Sequence, residues 1–388
     1  MKLKGIKAMI DTVCLLIPKD KMFYLAGVSS WELFSKTEQY SKFVRNPSKA
    51  ERETGKYFPR LTGYKRQFSQ EENVRIEFSV PKLLYLNNVD ELENKDFPAV
   101  IDALQDRLKT MGVIVAKQLL EDASVSSAHF GKNILLVNGY TANYVIGEMG
   151  KVNLQKSFDF AKTRFINDGQ SLYAHATTHQ LAIYDKIADL NKDEKRAIDK
   201  DQTLYQKSLF IEINTENEML ELLRIEVRLG NKQKLNSVLE SLGYPKNLTF
   251  KEIFNSEISK KVITNYWTKI IKERSLGVFS VSVSTKDILQ NLLLADKKIK
   301  PKQAIYLMGL HILSKDENGI RQLRTILSKR SHDRTWYRMA NEIREANELI
   351  TKNNMRDWVM QIDKSLDEFN AYKHKKLSTD QNLQCKSV

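Results

Sequence analysis

Four short segments of this chain read with a period of two: 74–80 (VRIEFSV), 127–130 (SAHF), 179–186 (HQLAIYDK) and 223–229 (LRIEVRL). A period of two puts successive side chains on opposite faces of an extended backbone, so each segment is expected to be a strand with one apolar face. The opposite faces carry Glu77, His129, Tyr184 with Lys186, and Glu226. Two carboxylates, an imidazole, a phenol and an ammonium group are therefore expected on the side away from the core.

Other stretches fill in around these. Residues 9–17 read as a first strand, 57–68 and 73–80 as two strands around a turn at 69–72, and 124–137 as extended. Residues 97–111 (FPAVIDALQDRLKTM) form an amphipathic helical pattern ended by Gly112. Segments 153–166 and 191–207 are expected to be helical, and the polar stretch 31–54 to be loop with short helices. Beyond Gly243-Tyr244-Pro245 the alternation stops. Residues 250–274, 286–295, 301–313, 319–329 and 332–353 all read as helices, and Pro301 suits a first helical turn. The expected fold class is α+β: an antiparallel sheet with helices on one face in residues 1–245, then an all-helical domain in 246–372 and a polar tail in 373–388.

The formal net charge is +14, and residues 251–388 hold 26 Lys and Arg against 16 Asp and Glu. The surplus thus concentrates in the helical third, which favours a polyanionic partner, nucleic acid ahead of an anionic membrane. There Arg321, Arg324, Arg330 and Arg334 interleave with Trp336 and Tyr337, as phosphate contacts and stacking platforms would. A solvated helix with its aromatics in the core accounts for the same pattern. Cys14 and Cys385 stand at opposite ends of the chain, which disfavours a disulfide framework or a cysteine metal site and suits a reducing cytoplasm. No apolar run nears the ~20 residues that span a bilayer. Asp11 and Pro18 interrupt the N-terminal apolar run, so it reads as a strand rather than a signal peptide.

Among residues that can do chemistry, Tyr184 comes first. A phenol of pKa ~10 attacks poorly at neutral pH unless a cation lowers that pKa or a base takes its proton. Lys186, two residues on, would share its strand face and supply that charge. Glu77, His129 and Glu226 are oxygen and nitrogen donors suited to Mg²⁺ or Mn²⁺. Cross-strand ion pairs among Arg75, Glu77, Arg224, Glu226 and Arg228 on an exposed sheet face explain the same residues without a metal. His175 and His179 have a zinc-like spacing, but they precede a strand and lack an acidic partner. The chain has no Walker loop, no GxGxxG opening a helix and no Gly-x-Ser-x-Gly elbow.

Several stretches resemble the gene II-type replication initiators of filamentous phages and related plasmids. VRIEFSVPKLLYLNN (74–88) is similar to that family's segment of an acidic strand, a proline and a lysine. LAIYDKIADL (181–190) resembles the motif carrying its active tyrosine, and LLRIEVRLGNKQKLNSVLESLGYPKNL (222–248) its arginine–glutamate–arginine strand and following helix. MIDTVCL (9–15) and RTWYRMANEI (334–343) add weaker likeness. The resemblance implies a rolling-circle initiator with a nicking-endonuclease-like sheet. Such an enzyme nicks one strand at an origin, holds the 5′ phosphate on tyrosine, and later rejoins the displaced strand. Tyr184 and Lys186 would be the catalytic pair, and Glu77, His129 and Glu226 would hold Mg²⁺ or Mn²⁺. Arg75, Arg224, Arg228, Arg321, Arg324, Arg330 and Arg334 would meet duplex and single-stranded origin DNA. Residues 1–245 would be the catalytic domain and 246–372 the DNA-binding domain, working in the cytoplasm with host helicase and polymerase, and not at a membrane. One departure stands out: nicking enzymes of this kind usually carry histidine–hydrophobe–histidine, whereas His129-Phe130 is followed by Gly131. The alternative is a non-catalytic origin-binding or regulatory protein; a tyrosine recombinase lacks support, because its arginine–histidine–arginine set is not evident.

Overall fold

The four alternating segments are extended over most of their length, and a large antiparallel sheet with C-terminal helices makes the fold α+β. The structure is a computed structural model that describes residues 10–25, 27–28, 31–37, 40–66, 72–154, 158–166, 170–190, 220–295, 298–316, 319–329, 332–351 and 354–374. Its strands are β1 (Ile10–Pro18), β2 (Phe23–Tyr24), β3 (Glu32–Lys36), β4 (Tyr40–Arg45), β5 (Arg60–Arg66), β6 (Asn73–Ser79), β7 (Val113–Ile114), β8 (Ser124–Leu135), β9 (Asp159–Ile166), β10 (Ser171–His175), β11 (His179–Asp185) and β12 (Leu222–Leu229). The chain divides into two compact units that interleave in sequence. Unit 1 comprises 1–133, 186–263 and 369–388, and unit 2 comprises 134–185 and 264–368. These bounds do not coincide with a division at 245 and 372.

In unit 1 the strands lie in the order β3-β4-β5-β6-β1-β8-β12. The antiparallel register sets Cys14 of β1 opposite both Glu77 and Ser127, and Thr12 opposite both Ser79 and His129. Ile10 pairs with Phe130 and Thr12 with His129, so Asp11 is an extra residue bulged out of β1. A bulge of this kind re-aims a side chain. Residues 32–36 and 40–45, expected to be loop, are instead the strands β3 and β4, and residues 49–53 are the expected short helix. That helix starts with a capping box between Ser48 and Glu51. The helix Phe97–Thr110 forms as its spacing predicts. Pro98 occupies its first turn, Val100, Ile101, Leu104 and Leu108 are buried, and Gly112 stops it at φ +80°. Phe97 sits edge-on to Phe250, which in turn meets Phe78 and Phe254, so this helix and the 250–254 segment share one aromatic core.

In unit 2, β9, β10 and β11 form an antiparallel meander. Residues 159–166 are therefore strand where the pattern predicts helix; pairing with β10 overrides the local periodicity. The expected C-terminal helices form as Thr285–Ala295, Pro301–Lys315, Gly319–Ser328 and Asp333–Thr351, and Asp357–Glu368 is a further one. Ile288, Leu292, Ala304, Leu307, Ala346 and Ile350 form a core shared by Thr285–Ala295, Pro301–Lys315 and Asp333–Thr351. The helix expected over 191–207 and the tail beyond 374 lie outside the described residues. No described helix is long and apolar enough to cross a membrane.

Candidate active site

The polar side chains of β12 are not on an open face. Arg224 is 3% exposed and Glu226 1%. Leu222, which shares their face by the two-residue alternation, packs with Leu190 and Val89. The short helix Lys186–Leu190 thus covers the face expected to meet solvent, which corrects the outward placement of Glu226.

Beneath that cover lies a polar network built from β1, β8 and β12. Arg228 Nε donates to Glu226 Oε1 at 2.6 Å, and Arg224 Nε to Glu226 Oε2 at 3.4 Å. Arg224 Nη1 donates to Asn133 Oδ1 at 2.9 Å. Asp11 Oδ1 lies 3.2 Å from Arg224 Nη2, yet this buried oxygen accepts no hydrogen bond in the described structure. Burial alone would raise the Glu226 pKa, but Arg228 and Arg224, helped by His129, outweigh it and hold the carboxyl well below the usual carboxylate range.

His129 Nδ1 stands 3.8 Å from Glu226 Oε1, with about a quarter of its side chain exposed (26%). Burial, reinforced by Arg228, lowers the imidazole pKa against the pull of Glu226, Asp11 and Glu77. His129 is therefore held neutral near pH 7, with a lone pair to offer. Lys186 is fully buried, 3.4 Å from Asp189 Oδ2, and burial pulls its pKa down to about 8 despite Asp189.

Gly131 accounts for the departure from the histidine–hydrophobe–histidine pattern. A Cβ at this position would lie 2.7 Å from Arg224 Cζ and 3.1 Å from its Nε, and closer still to Nη2. The guanidinium of the neighbouring strand fills the space beside residue 131, and only glycine leaves room for it.

As a metal-binding set, Glu77, His129 and Glu226 do not fit one ion. Both oxygens of Glu226 are turned to guanidinium groups. Glu77 is exposed on β6, two strand spacings (~10 Å) from β8 and out of register with His129. Among the described residues no three His, Cys, Asp or Glu side chains are grouped to hold a metal. Asp11 stands near His129, but its Oδ1 too faces the Arg224 guanidinium, at 3.2 Å. The sequence signals for Asp11 and Gly131 are the aspartate that interrupts an apolar strand and the glycine that stands where the second histidine of the motif would follow His129-Phe130.

Tyr184 belongs to unit 2, where it pairs with Ser171 and is 5% exposed. Four consecutive residues of β11, Leu181 to Tyr184, are buried, so this strand has no open polar face. Lys186 does not share that strand, because β11 ends at Asp185 and Lys186 begins the next helix. Arg75 of unit 1 is half-buried, its Nε 3.2 Å from Cys14 Sγ. In unit 2, Arg334 is exposed, Arg321 is half-buried, and Arg324 lies over the Trp336 ring at 5.7 Å and 3.8 Å from Asp333 Oδ1. Arg330 lies outside the described residues. Compared with known proteins, the chain matches no family model, no curated protein and no solved structure.

Proposed function

We propose that this protein is a rolling-circle replication initiator that nicks one strand of a phage or plasmid origin and rejoins it through a 5′-phosphotyrosine. The observation that carries this is the buried network of unit 1, in which Arg224 and Arg228 flank a carboxylate beside a neutral His129 and an Asp11 oxygen that accepts no hydrogen bond. Of the two guanidinium groups, Arg228, 30% exposed, is the one within reach of a phosphodiester, whose charge builds up as a nucleophile attacks. The likeness of 74–88, 181–190 and 222–248 to gene II-type initiators points the same way. In the reaction Tyr184 gives up its phenolic proton and its oxygen bonds to phosphorus. The bond to the 3′ oxygen breaks, and that oxygen leaves protonated as the primer terminus. The phosphotyrosine keeps the energy of the broken ester, so rejoining needs no nucleotide cofactor. His129 and Asp11 do not by themselves make a Mg²⁺ or Mn²⁺ site, because Asp11 Oδ1 already faces the Arg224 guanidinium at 3.2 Å, so no step of this reaction is assigned to an ion.

The test is incubation with supercoiled origin DNA and Mg²⁺ or Mn²⁺, followed by denaturing separation of protein bound to a nicked strand. A 5′-linked adduct at Tyr184, absent in Tyr184→Phe while duplex binding persists, supports the proposal. Nicking by Tyr184→Phe at the wild-type rate would reassign the nucleophile. The second reading, a non-catalytic origin-binding protein, is favoured by the burial of Tyr184 and Lys186. Salt-sensitive DNA binding with no adduct under either ion would establish it.

A further inference from the structure

Unit 2 contains a cleft of about 760 Å³, within the size range of small-molecule sites. Its walls carry Lys269, Lys272, Arg274, Arg324 and Arg344 against Glu273 and Glu348, with Trp336 and Tyr337 beside them. We propose that this cleft binds a nucleotide, taking its phosphate on Arg274 and Arg344 and stacking its base on Tyr337. The inference does not rest on the nicking chemistry.

Arg274 is the first reason. Its Nη1 is buried and has no hydrogen-bond partner among the described residues. A buried guanidinium donor left unpaired is costly, and a phosphate oxygen would satisfy it bidentately. Burial lowers the Arg274 pKa, a direction that an incoming anion would reverse. Lys272 is already committed to Asp363 at 2.6 Å, whereas Arg344 uses only Nη1, on Asn341 at 2.9 Å, among the described residues.

The backbone around Arg274 is the second reason. A π-helical stretch, Tyr266–Ile271, runs into the 3₁₀ turn Lys272–Arg274, and Leu276 and Gly277 follow at φ +45° and +90°. A Cβ on Gly277 would come within 2.5 Å of the Asn347 side chain, so the loop is pressed onto the helix Asp333–Thr351. Irregular helix and left-handed backbone at a non-glycine residue are strained features that gather at binding sites.

The facing wall is the third. Tyr337, Ala340, Arg344 and Glu348 follow each other at helical spacing along Asp333–Thr351, and all line the cleft. Trp336 is buried with Arg324 over its ring, which leaves Tyr337, 50% exposed, as the ring open to a base. Ala340 between Tyr337 and Arg344 keeps the floor clear.

The nucleotide can be free or an unpaired residue of a DNA strand. The full chain is titrated with dTMP, with a labelled thymidine decamer, and with an abasic decamer of equal charge. The thymidine decamer is expected to bind at least tenfold tighter than the abasic one, and Arg274→Gln and Tyr337→Ala each to lose at least tenfold. Tyr337→Trp should retain binding. Tyr337 is exposed, so that variant tests the site without unfolding it. Saturable dTMP binding that both variants weaken would identify a free nucleotide as ligand; decamer binding alone would identify a strand. Equal affinity for the two decamers with no dTMP binding, or binding unaltered in both variants, overturns the proposal.

Discussion

Replacing Gly131 by alanine isolates the close approach on which the buried network depends. In an ordinary strand this change is favourable by about 0.5–1 kcal/mol, because alanine loses less backbone freedom on folding. Here the new Cβ would sit 2.7 Å from Arg224 Cζ, so the guanidinium must move. Arginine side chains usually yield cheaply. This one is 3% exposed and held by Asn133, Glu226 and Asp11. Losing the hydrogen bond to Asn133, which involves a charged donor, costs about 1.5–3 kcal/mol. The net expectation is a destabilisation of about 1–2 kcal/mol, opposite in sign to the propensity effect. Urea unfolding followed by far-ultraviolet circular dichroism would read it as a lower midpoint at unchanged slope. Once Arg224 is alanine the space is open, and adding Gly131→Ala should be neutral or stabilising. A coupling of about 1.5–3 kcal/mol between the two sites is therefore expected. A Gly131→Ala protein as stable as the wild type, or two additive changes, would refute this account of the glycine.

Glu226→Gln should cost about 3 kcal/mol at neutral pH, because buried Arg224 keeps only Asp11 as counter-charge and half-buried Arg228 loses its carboxylate partner. The Glu226 carboxyl titrates lower in the folded chain than its ordinary 4.5, so its contribution is present above that pH and is lost as pH falls below it. The variant should accordingly flatten the acid limb of the stability curve, and an unchanged limb would count against the network. Lys186 gives the same sign of slope at higher pH: between pH about 8 and 10.5 the unfolded chain holds a proton that the folded chain has released, so stability rises with pH. Lys186→Met should remove that part of the rise, measured as the difference from wild type; identical curves would show that the ammonium is not desolvated. Reversing Arg321 and Arg324 to glutamate should weaken duplex binding and shallow its salt dependence by about 0.9 for each phosphate no longer neutralised. Affinity and slope both unchanged would remove this surface from DNA binding.

The parts of the fold that were readable are those where a local pattern and its environment agree. β1, β6, β8 and β12 each bury one apolar face against a core, and the helix Phe97–Thr110 carries its own stop signals in Pro98 and Gly112. β3 and β4 were not readable because β3 lies at the edge of the sheet with most residues exposed, so no apolar alternation marks it. β9 has a helical-looking pattern, and only its partner β10, supplied from later in the chain, decides otherwise. The interleaving of the two units is likewise set by residues far apart in sequence.

The candidate site shows the same limit more sharply. Period two assigns Arg224 and Glu226 to one side of β12, which is right, but it does not say whether that side meets water or another element. The answer lies in Leu222, two residues before Arg224, which packs against Leu190 of the covering helix. An apolar residue on the polar side of a strand was thus the sign that this side is closed. Once closed, the carboxylate cannot remain unpaired, and Arg224 and Arg228 supply its counter-charges from the same strand. The guanidinium of Arg224 then requires space on β8, and Gly131 provides it. The missing histidine, the arginines and the buried glutamate are one arrangement: the position beside His129 is glycine because a cation from the next strand already occupies that place.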